Sequence, residues 1–581
     1  MAGAEASRNM EVVVAIDFGT SNSGFAYASM KGHQEIAMEQ GLEGKNAGKS
    51  NEKMRTAILF KKVSGLLKFE SFGEQAKYDF DKITKKERKS GSDVSGYVYF
   101  DRFKMSLYRE IDSTEGWKDP IIKDVTGKHK QPALFVVSEC IKYMKSRAVK
   151  RLRECGVKDP EHKILWVLTI PAIWPDPSKD FMLRAAAKAG IPPGQVKLCL
   201  EPEAAAICCI KDSADLDKEL LVGSKYLILD CGGGTLDVTA HKVVENDTNL
   251  RVKEIRTVNG GDCGSTYIDK AFQQEIGRII GESKWEKFKS ENPDAVNELL
   301  DRFEACKRSF TDESTSEFVG LKGKLAKKIP AGYDKNGICY DDEEFHLEIS
   351  GGRMAAMFEI CVRRIVSTMT KELRSSEMKG CQYVFMAGGF SSSPYLRKRV
   401  QAALSEFRDC KKLIAPFNFS MAILKGAVML GLDPSIIASR RARCAYAISY
   451  ERDFKKGDDE SHSYMRIVKG VLLKKTSYLH MLVMKDQDLE VGHVVNTSSV
   501  NVKDGATSAT NRVYKCLAND VLSPWDKRAI LHGKLEVTFD KPYDADEARI
   551  NTKYRFGGEM IRIESTHVQS GKSFKTELSF E

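Results

Sequence analysis

Two copies of one short pattern constrain this chain more than any other feature of its 581 residues. The apolar run VVVAI (12–16) ends in Asp17-Phe18-Gly19-Thr20-Ser21-Asn22. The apolar run YLIL (226–229) ends in Asp230-Cys231-Gly232-Gly233-Gly234-Thr235-Leu236-Asp237. After each Gly/Thr turn the sequence resumes strand character, GFAYAS at 24–29 and LDVTAH at 236–241, where a phosphate-binding βαβ unit would start a helix. Strand, Asp, Gly/Thr turn and strand at two distant places predict two related lobes facing one ligand. A chain of this length is too long for one hydrophobic core, so several subdomains are expected.

Buried-strand and helix patterns alternate from about residue 11 to 438. ILWVLTI (164–170) and YVFMA (383–387) read as buried strands. Leu134, Val137, Ile141, Met144, Ala148 and Leu152 recur at three- and four-residue steps, as do Leu396, Val400, Leu404 and Phe407, so each set predicts an amphipathic helix. Helices interleaved with such strands argue an α/β domain over 11–438. From about residue 439 to 581 short alternating stretches (ARCAYAISY, GKLEVTFDK, EMIRIESTHV, SFKTELSF) take over, separated by GDD, KDG, FGG and QSGK. That texture predicts an antiparallel β-sandwich, with no helical pattern after it to form a lid. Residues 1–10 read as a flexible tail.

Composition excludes some classes. The net charge of +10 is spread along the chain, and its densest basic run, Lys82 to Lys89, reads as a solvated helix or loop with no interleaved aromatics. Nucleic acid is therefore not expected as a partner. No apolar run approaches the ~20 residues of a membrane span, and MAGAEASRNMEVVV has no secretory signal character. The 14 cysteines are scattered without a C-x-x-C pair, as expected of reduced thiols in the cytoplasm.

A tight Gly/Thr hairpin presents successive backbone N–H groups that can cradle phosphate oxygens, and the hydroxyls of Thr20, Ser21 and Thr235 add donors. Asp17, Asp230 and Asp237 have the wrong charge for phosphate. Carboxylates beside such a cradle make sense if Mg²⁺ with its waters lies between them. Taken singly, Asp-x-Gly-Thr is a common structural turn; two copies at equivalent places favour the functional reading. The stretch Gly44 to Ser50 resembles a P-loop, but it has three residues between its glycines where four are needed, and no buried strand precedes it. It reads as a loop.

Six motifs then fall in a telling order: Asp17-Phe-Gly-Thr20, Leu168-Thr-Ile-Pro-Ala172, Leu200-Glu-Pro-Glu-Ala-Ala-Ala206, Asp230 to Asp237, Gly260-Gly-Asp262 and Ala387-Gly-Gly389. The ordered set resembles the 70-kDa heat-shock proteins. FDRFKM (100–105), WVLTIPAIWPDPSKDFM (166–182) and ILKGAVMLG (423–431) are similar to the divergent branch called heat-shock 70 kDa protein 12. The resemblance implies duplicated actin-like (ribonuclease-H-like) ATPase lobes and ATP or ADP with Mg²⁺ as ligands. It implies a first phosphate loop at Asp17, Gly19, Thr20, Ser21 and Asn22, and a second at Asp230 and Gly232, Gly233, Gly234 and Thr235. Asp17 and Asp230 would serve the metal. It implies that Lys104 reaches the γ-phosphate and positions water, that Glu201 holds metal-bound water, and that Asp237 helps place cations. Gly261, Glu304, Lys307, Arg308, Gly388, Gly389 and Ser392 match the segments that hold the nucleoside.

Each match has a plainer reading. Lys104 alone could be a surface lysine, Glu304 and Arg308 a helix ion pair contributing under ~0.5 kcal/mol, and Glu201 a residue that begins a helix. The sequence also departs from the family. Ser392 stands where an arginine would cover the adenine, a loss of about 1–2 kcal/mol, near tenfold in affinity. Ser435 to Arg443 replaces the acidic, leucine-rich interdomain linker. Three functions share the fold. The favoured one is a chaperone-like, slowly hydrolysing ATPase of the stress response whose β domain binds unfolded or extended peptide segments. The alternatives are a nucleotide-gated scaffold bound to one protein partner with a vestigial ATPase, and, more remotely, a small-molecule kinase, for which the β domain has no evident use.

Overall fold

The computed structural model describes residues 10–32, 35–39, 53–90, 96–109, 119–246, 249–416, 418–557 and 560–579. The P-loop-like stretch 44–50 and most of the N-terminal tail lie outside them. The chain forms two compact units: residues 1–240 with 258–434, and residues 241–257 with 435–581.

The first unit contains two sheets built on the same plan. In one, β1 (Val12–Phe18) lies between β2 (Asn22–Ser29), its antiparallel hairpin partner, and β3 (Ile164–Ile170), which runs parallel to it; β4 (Val196–Leu200) follows β3. In the other, β5 (Lys225–Cys231) lies between β6 (Leu236–Glu245), which follows it across the Gly-rich turn, and the parallel strand β8 (Cys381–Ala387). The strand that follows β6 in the chain, β7 (Arg251–Gly261), belongs to the first unit only from residue 258 onward, and beyond β8 lies β9 (Lys412–Ile414). The repeated sequence pattern thus corresponds to a repeated strand arrangement. All seven residues of β1 and of β3 are buried, as expected for central strands covered on both faces. Helix α1 (Ala133–Glu154) supplies the cover through Val137, Ile141, Met144, Ala148 and Leu152; Leu134, the first residue of the predicted stripe, is only partly buried. The second predicted helix spans Pro394–Leu404, so Phe407 falls beyond its end. A separate three-stranded sheet, ordered Leu66–Phe72, Ala57–Val63, Tyr97–Asp101, is inserted between β2 and α1.

The second unit is antiparallel over most of its length. One five-stranded sheet runs in the order Ser463–Val468, Val471–Val483, Ala445–Asp453, Ala506–Cys516, Ala529–Tyr543. A four-stranded sheet runs Val494–Val500, Arg549–Arg555, Met560–His567, Ser573–Ser579. Tyr446, Ile448 and Val513 from the first sheet share an apolar core with Tyr554, Ile561 and Ile563 from the second. Among the described residues no α-helix follows Leu432.

Candidate functional site

The two hairpins of the first unit open into one cavity. Its wall includes Asp17, Gly19, Thr20, Ser21 and Asn22 from the first turn and Asp230, Gly232, Gly233, Gly234 and Thr235 from the second. The turns abut: a Cβ placed on Gly233 would stand 3.0 Å from the Ser21 Oγ. The first turn is held by Thr56, whose hydroxyl donates to the Gly19 carbonyl at 2.8 Å. In the second, the carbonyls of Gly232, Gly233 and Gly234 accept N–H groups from Ser265, Thr266 and Gly264 at 2.9–3.2 Å. With its carbonyls engaged, this loop can serve an anion through its N–H groups.

Lys53, Lys104 and four carboxylates set the electrostatics around the two turns. Lys104 is 3% exposed, donates to the Glu201 Oε1 at 2.9 Å and lies over the Trp174 ring at 5.0 Å, so the surface-lysine reading fails. Glu201 begins helix α2 (Glu201–Lys211), whose N-terminus favours a carboxylate. Burial, together with Asp17 and Asp237 and against Lys104, still pushes Glu201 up to about 7. Burial would also raise Asp17, but Lys53 at 2.5 Å and Lys104 outweigh it and hold the group below its usual value; its second oxygen accepts the Thr169 hydroxyl at 2.9 Å. Asp230 is the opposite case. Burial and the charges of Glu201, Asp237 and Asp17 push it well above the carboxylate range, and its Oδ2 is buried with no hydrogen-bond partner among the described residues.

The other end of the cavity is lined by Glu304, Lys307 and Arg308 from α3 (Pro293–Ser309), by Gly388, Gly389, Phe390, Ser392 and Ser393, and by Phe419 and Ile423 from α4 (Phe419–Leu432). Glu304 accepts from Arg308 at 2.8 Å and pairs with Lys307 at 2.5 Å, while Lys307 also reaches Asp269 at 2.8 Å. Burial opposes ionisation of Glu304, and these two cations overcome it, so its pKa lies below the usual value. Gly388 has φ +79°, and a Cβ there would stand 2.3 Å from the Asp230 Oδ1, so only glycine brings this turn so near the carboxylate. The Ser392 hydroxyl donates to the Gly389 carbonyl at 2.7 Å. Phe390 is buried and packs near Phe358, with ring centroids 6.1 Å apart.

The structure thus brings together all but two of the residues singled out in the sequence. Asp237 lies off the cavity wall: it accepts the Ile173 N–H at 2.7 Å, and burial raises it to about 6. Gly261, at the end of β7, also lies off the wall. Sequence reasoning missed Lys53, Ser265, Phe419 and Ile423, of which Lys53 is charged and touches a key carboxylate. The donor set fits a nucleotide with a hydrated divalent cation: amide-rich turns for phosphates, lysines for their charge, and an unpartnered buried oxygen on Asp230 for a metal-bound water.

The family model described as Hsp70 protein matches residues 81–432, more than half of the chain. The chain belongs to the Hsp70 family. Human heat shock 70 kDa protein 12A is 28% identical over 636 aligned residues that cover 98% of this chain and 91% of its own. Human heat shock 70 kDa protein 12B is 26% identical over 646, with the same coverage. The heat shock cognate HSP70 protein of Trypanosoma brucei brucei is 27% identical over 264 residues, 45% of this chain and 35% of its own. The Hsp70 match contains Lys104, Glu201, the second hairpin, Glu304 and Gly388, but it begins after the first hairpin and Lys53. No helix among the described residues is long and apolar enough to cross a membrane.

Proposed function

We propose that this chain binds ATP with Mg²⁺ in the cavity of its first unit, hydrolyses it slowly to ADP and phosphate, and acts as a cytoplasmic chaperone-like protein. The observation that carries the reading is the meeting of both Gly/Thr hairpins, Lys104, Glu201 and the Glu304–Arg308 helix in one cavity. The hairpin amides and hydroxyls hold the phosphates. Lys104, fixed between Glu201 and Trp174, carries positive charge to the γ-phosphate and orients the attacking water. Glu201 accepts a hydrogen bond from water on the same side. Asp230 and Asp17 would hold the cation through its waters, and Mg²⁺ would there supply charge neutralisation of the phosphates. Asp237, behind Thr235, keeps that turn and the Ile173 backbone in place. Fourteen free thiols accord with a reducing compartment.

In this reading residues 11–438 form the actin-like ATPase domain, and 439–581 form a β-sandwich domain that holds extended peptide segments or a protein partner. Two strands of the second unit support the latter role. Ile467 and Leu472 are cross-strand neighbours, each 59% exposed, and Met465 on the same edge strand is 56% exposed. Apolar side chains gathered at a sheet edge suit an extended ligand. A scaffold with a weak ATPase is favoured by one observation: Ser392, on the wall of the cavity, stands where the family resemblance expects an arginine over the adenine.

Calorimetric titration of the full chain with ATP, beside wild-type and Asp17→Ala hydrolysis assays, tests the site. Wild type is expected to bind, with hydrolysis two to three orders of magnitude above the variant. Equal hydrolysis by the two proteins would remove the cavity as the ATPase site. Peptide titrations with and without ATP separate the chaperone from the scaffold: a peptide panel that never binds favours the scaffold.

A further inference from the structure

Lys53 precedes the two-residue strand Met54–Arg55, which pairs with β2 so that Met54 faces Ser23 and Arg55 faces Asn22. That pairing carries the lysine stem across Gly24. A Cβ on Gly24 would stand 3.1 Å from the Lys53 Cγ and 3.7 Å from its Cβ, so the missing side chain forms the recess in which the stem lies. Gly24 is in turn the antiparallel partner of Asp17. A lysine laid across Gly24 therefore ends at Asp17, and its Nζ is found 2.5 Å from the Asp17 Oδ2. The side chains are almost fully buried, at 8% and 5% exposure, and Lys53 is on the wall of the cavity that holds the two Gly/Thr turns.

This position matters because of what Asp17 can then do. Its Oδ1 accepts the Thr169 hydroxyl and its Oδ2 accepts the lysine ammonium, whereas the Asp230 Oδ2 has no hydrogen-bond partner among the described residues. The two aspartates of the repeated pattern are thus unequal. One already holds a cation, covalently tethered to the chain. A nucleotide brings several negative charges into a cavity with four carboxylates around it, and the repulsion is large at low dielectric unless positive charge is present. Of the three donors on the Lys53 ammonium, one serves Asp17 and another can serve a phosphate oxygen.

We propose that Lys53 is a built-in counter-ion at the phosphate end of the cavity, which lets this chain keep nucleotide bound when Mg²⁺ is withdrawn. The inference rests on the nucleotide reading of the cavity. Lys53 is a positioning and binding residue: it bridges Asp17 to phosphate and takes over part of the charge neutralisation that a divalent cation supplies from the Asp230 side. Asp230, whose Oδ2 has no partner among the described residues, would be the main carboxylate through which Mg²⁺ adds to affinity, with Asp17 contributing what Lys53 and Thr169 leave free. Gly24 sets the reach of the lysine, so a side chain at 24 acts on the same interaction from a different residue.

The test is ADP affinity of the full chain by calorimetry, in Mg²⁺ and in EDTA, for wild type, Lys53→Met, Lys53→Arg and Gly24→Ala. Wild type is expected to lose less than about tenfold in affinity on Mg²⁺ removal, and Lys53→Met at least about 100-fold. Lys53→Arg, which keeps the charge, is expected to fall near wild type, and Gly24→Ala between wild type and Lys53→Met. Far-ultraviolet circular dichroism identifies any variant that fails to fold, and the wild-type ratio alone then decides. A wild-type loss of 100-fold or more in EDTA, or equal ratios in wild type and Lys53→Met, overturns the proposal. Absence of ADP binding by wild type even in Mg²⁺ overturns the nucleotide reading itself, an outcome distinct from Mg²⁺-dependent binding.

Discussion

Replacing Asp230 with asparagine is expected to make the nucleotide-free chain more stable and less active at once. In the structure this carboxylate is fully buried, its Oδ2 has no hydrogen-bond partner among the described residues, and Glu201, Asp237 and Asp17 surround it with like charge. Holding this carboxyl here near neutral pH costs about 1–3 kcal/mol or more, whether it keeps its charge or is forced to take up a proton, and asparagine has the same shape without that cost. The variant should therefore gain on the order of 1–3 kcal/mol at pH 7.5, seen as a rise of a few degrees in the thermal midpoint of the nucleotide-free chain. Hydrolysis should fall by two to three orders of magnitude, because the same carboxylate is the group proposed to hold hydrated Mg²⁺. The stabilisation by Mg²⁺·ADP should shrink as well, since its magnitude follows the affinity for the folded chain. Differential scanning fluorimetry without and with Mg²⁺·ADP, paired with a phosphate-release assay, reads all three. A lower midpoint in the nucleotide-free variant would refute the electrostatic argument. Full hydrolysis would refute the role assigned to Asp230.

Other expectations concern separate parts of the molecule. Ser392→Arg should tighten ATP binding several-fold, the ~0.5–2 kcal/mol of a cation over an aromatic ring, and an unchanged dissociation constant would place the base elsewhere. Gly264→Ala places a Cβ 2.4 Å from the backbone carbonyl of Gly233, so the second turn must shift; hydrolysis should drop about 100-fold while circular dichroism stays unchanged, and retained activity would show that the turn does not hold phosphate. Asp81, outside the cavity, is raised to about 6 by burial and by Asp294 and Asp301, against Lys77 and Lys85. A carboxyl with a raised folded pKa gives stability that is present below about pH 4 and lost as the pH rises through 6. Wild type should therefore lose on the order of 1–2 kcal/mol over that interval, discounted for partial exposure, and Asp81→Asn should remove this loss in urea melts at pH 4 and 7.

Much of the fold and site was legible because local chemistry and tertiary position agree. Asp17 and Asp230 end strands that are apolar on both faces, and the Gly/Thr residues after them can only turn, so the duplication could be read before any contact was known. The i,i+4 spacing of Glu304 and Arg308 survives as a 2.8 Å hydrogen bond on one face of α3. Boundaries were less legible. Phe407 continues the apolar step of its helix in sequence, but the helix stops at Leu404, since a period marks a face and not an end. Residues 241–257 lie in sequence within the α/β half, yet in space they group with the C-terminal unit. Such an assignment depends on pairing with strands almost 200 residues away, for instance Val252 with Ile437, and no local pattern encodes it.

Lys53 was illegible for a more specific reason. Nothing around it is a motif: it follows a polar stretch, and a lysine in a polar stretch is ordinarily solvated. Its place in the cavity is decided by three facts at different distances along the chain. Met54 and Arg55 pair with β2, Gly24 lacks a side chain, and Gly24 faces Asp17 across the hairpin. Each is unremarkable alone, and only their coincidence brings an ammonium to a carboxylate 36 residues earlier. Lys104 shows the contrast. Its role could be surmised from a run of neighbours, FDRFKM, and the structure needed only to bury it against Trp174 and Glu201. Motifs therefore report the half of this site built from local turns and runs. The half built by cross-strand register, which here includes one of its three lysine charges, has to be read from the ladder itself.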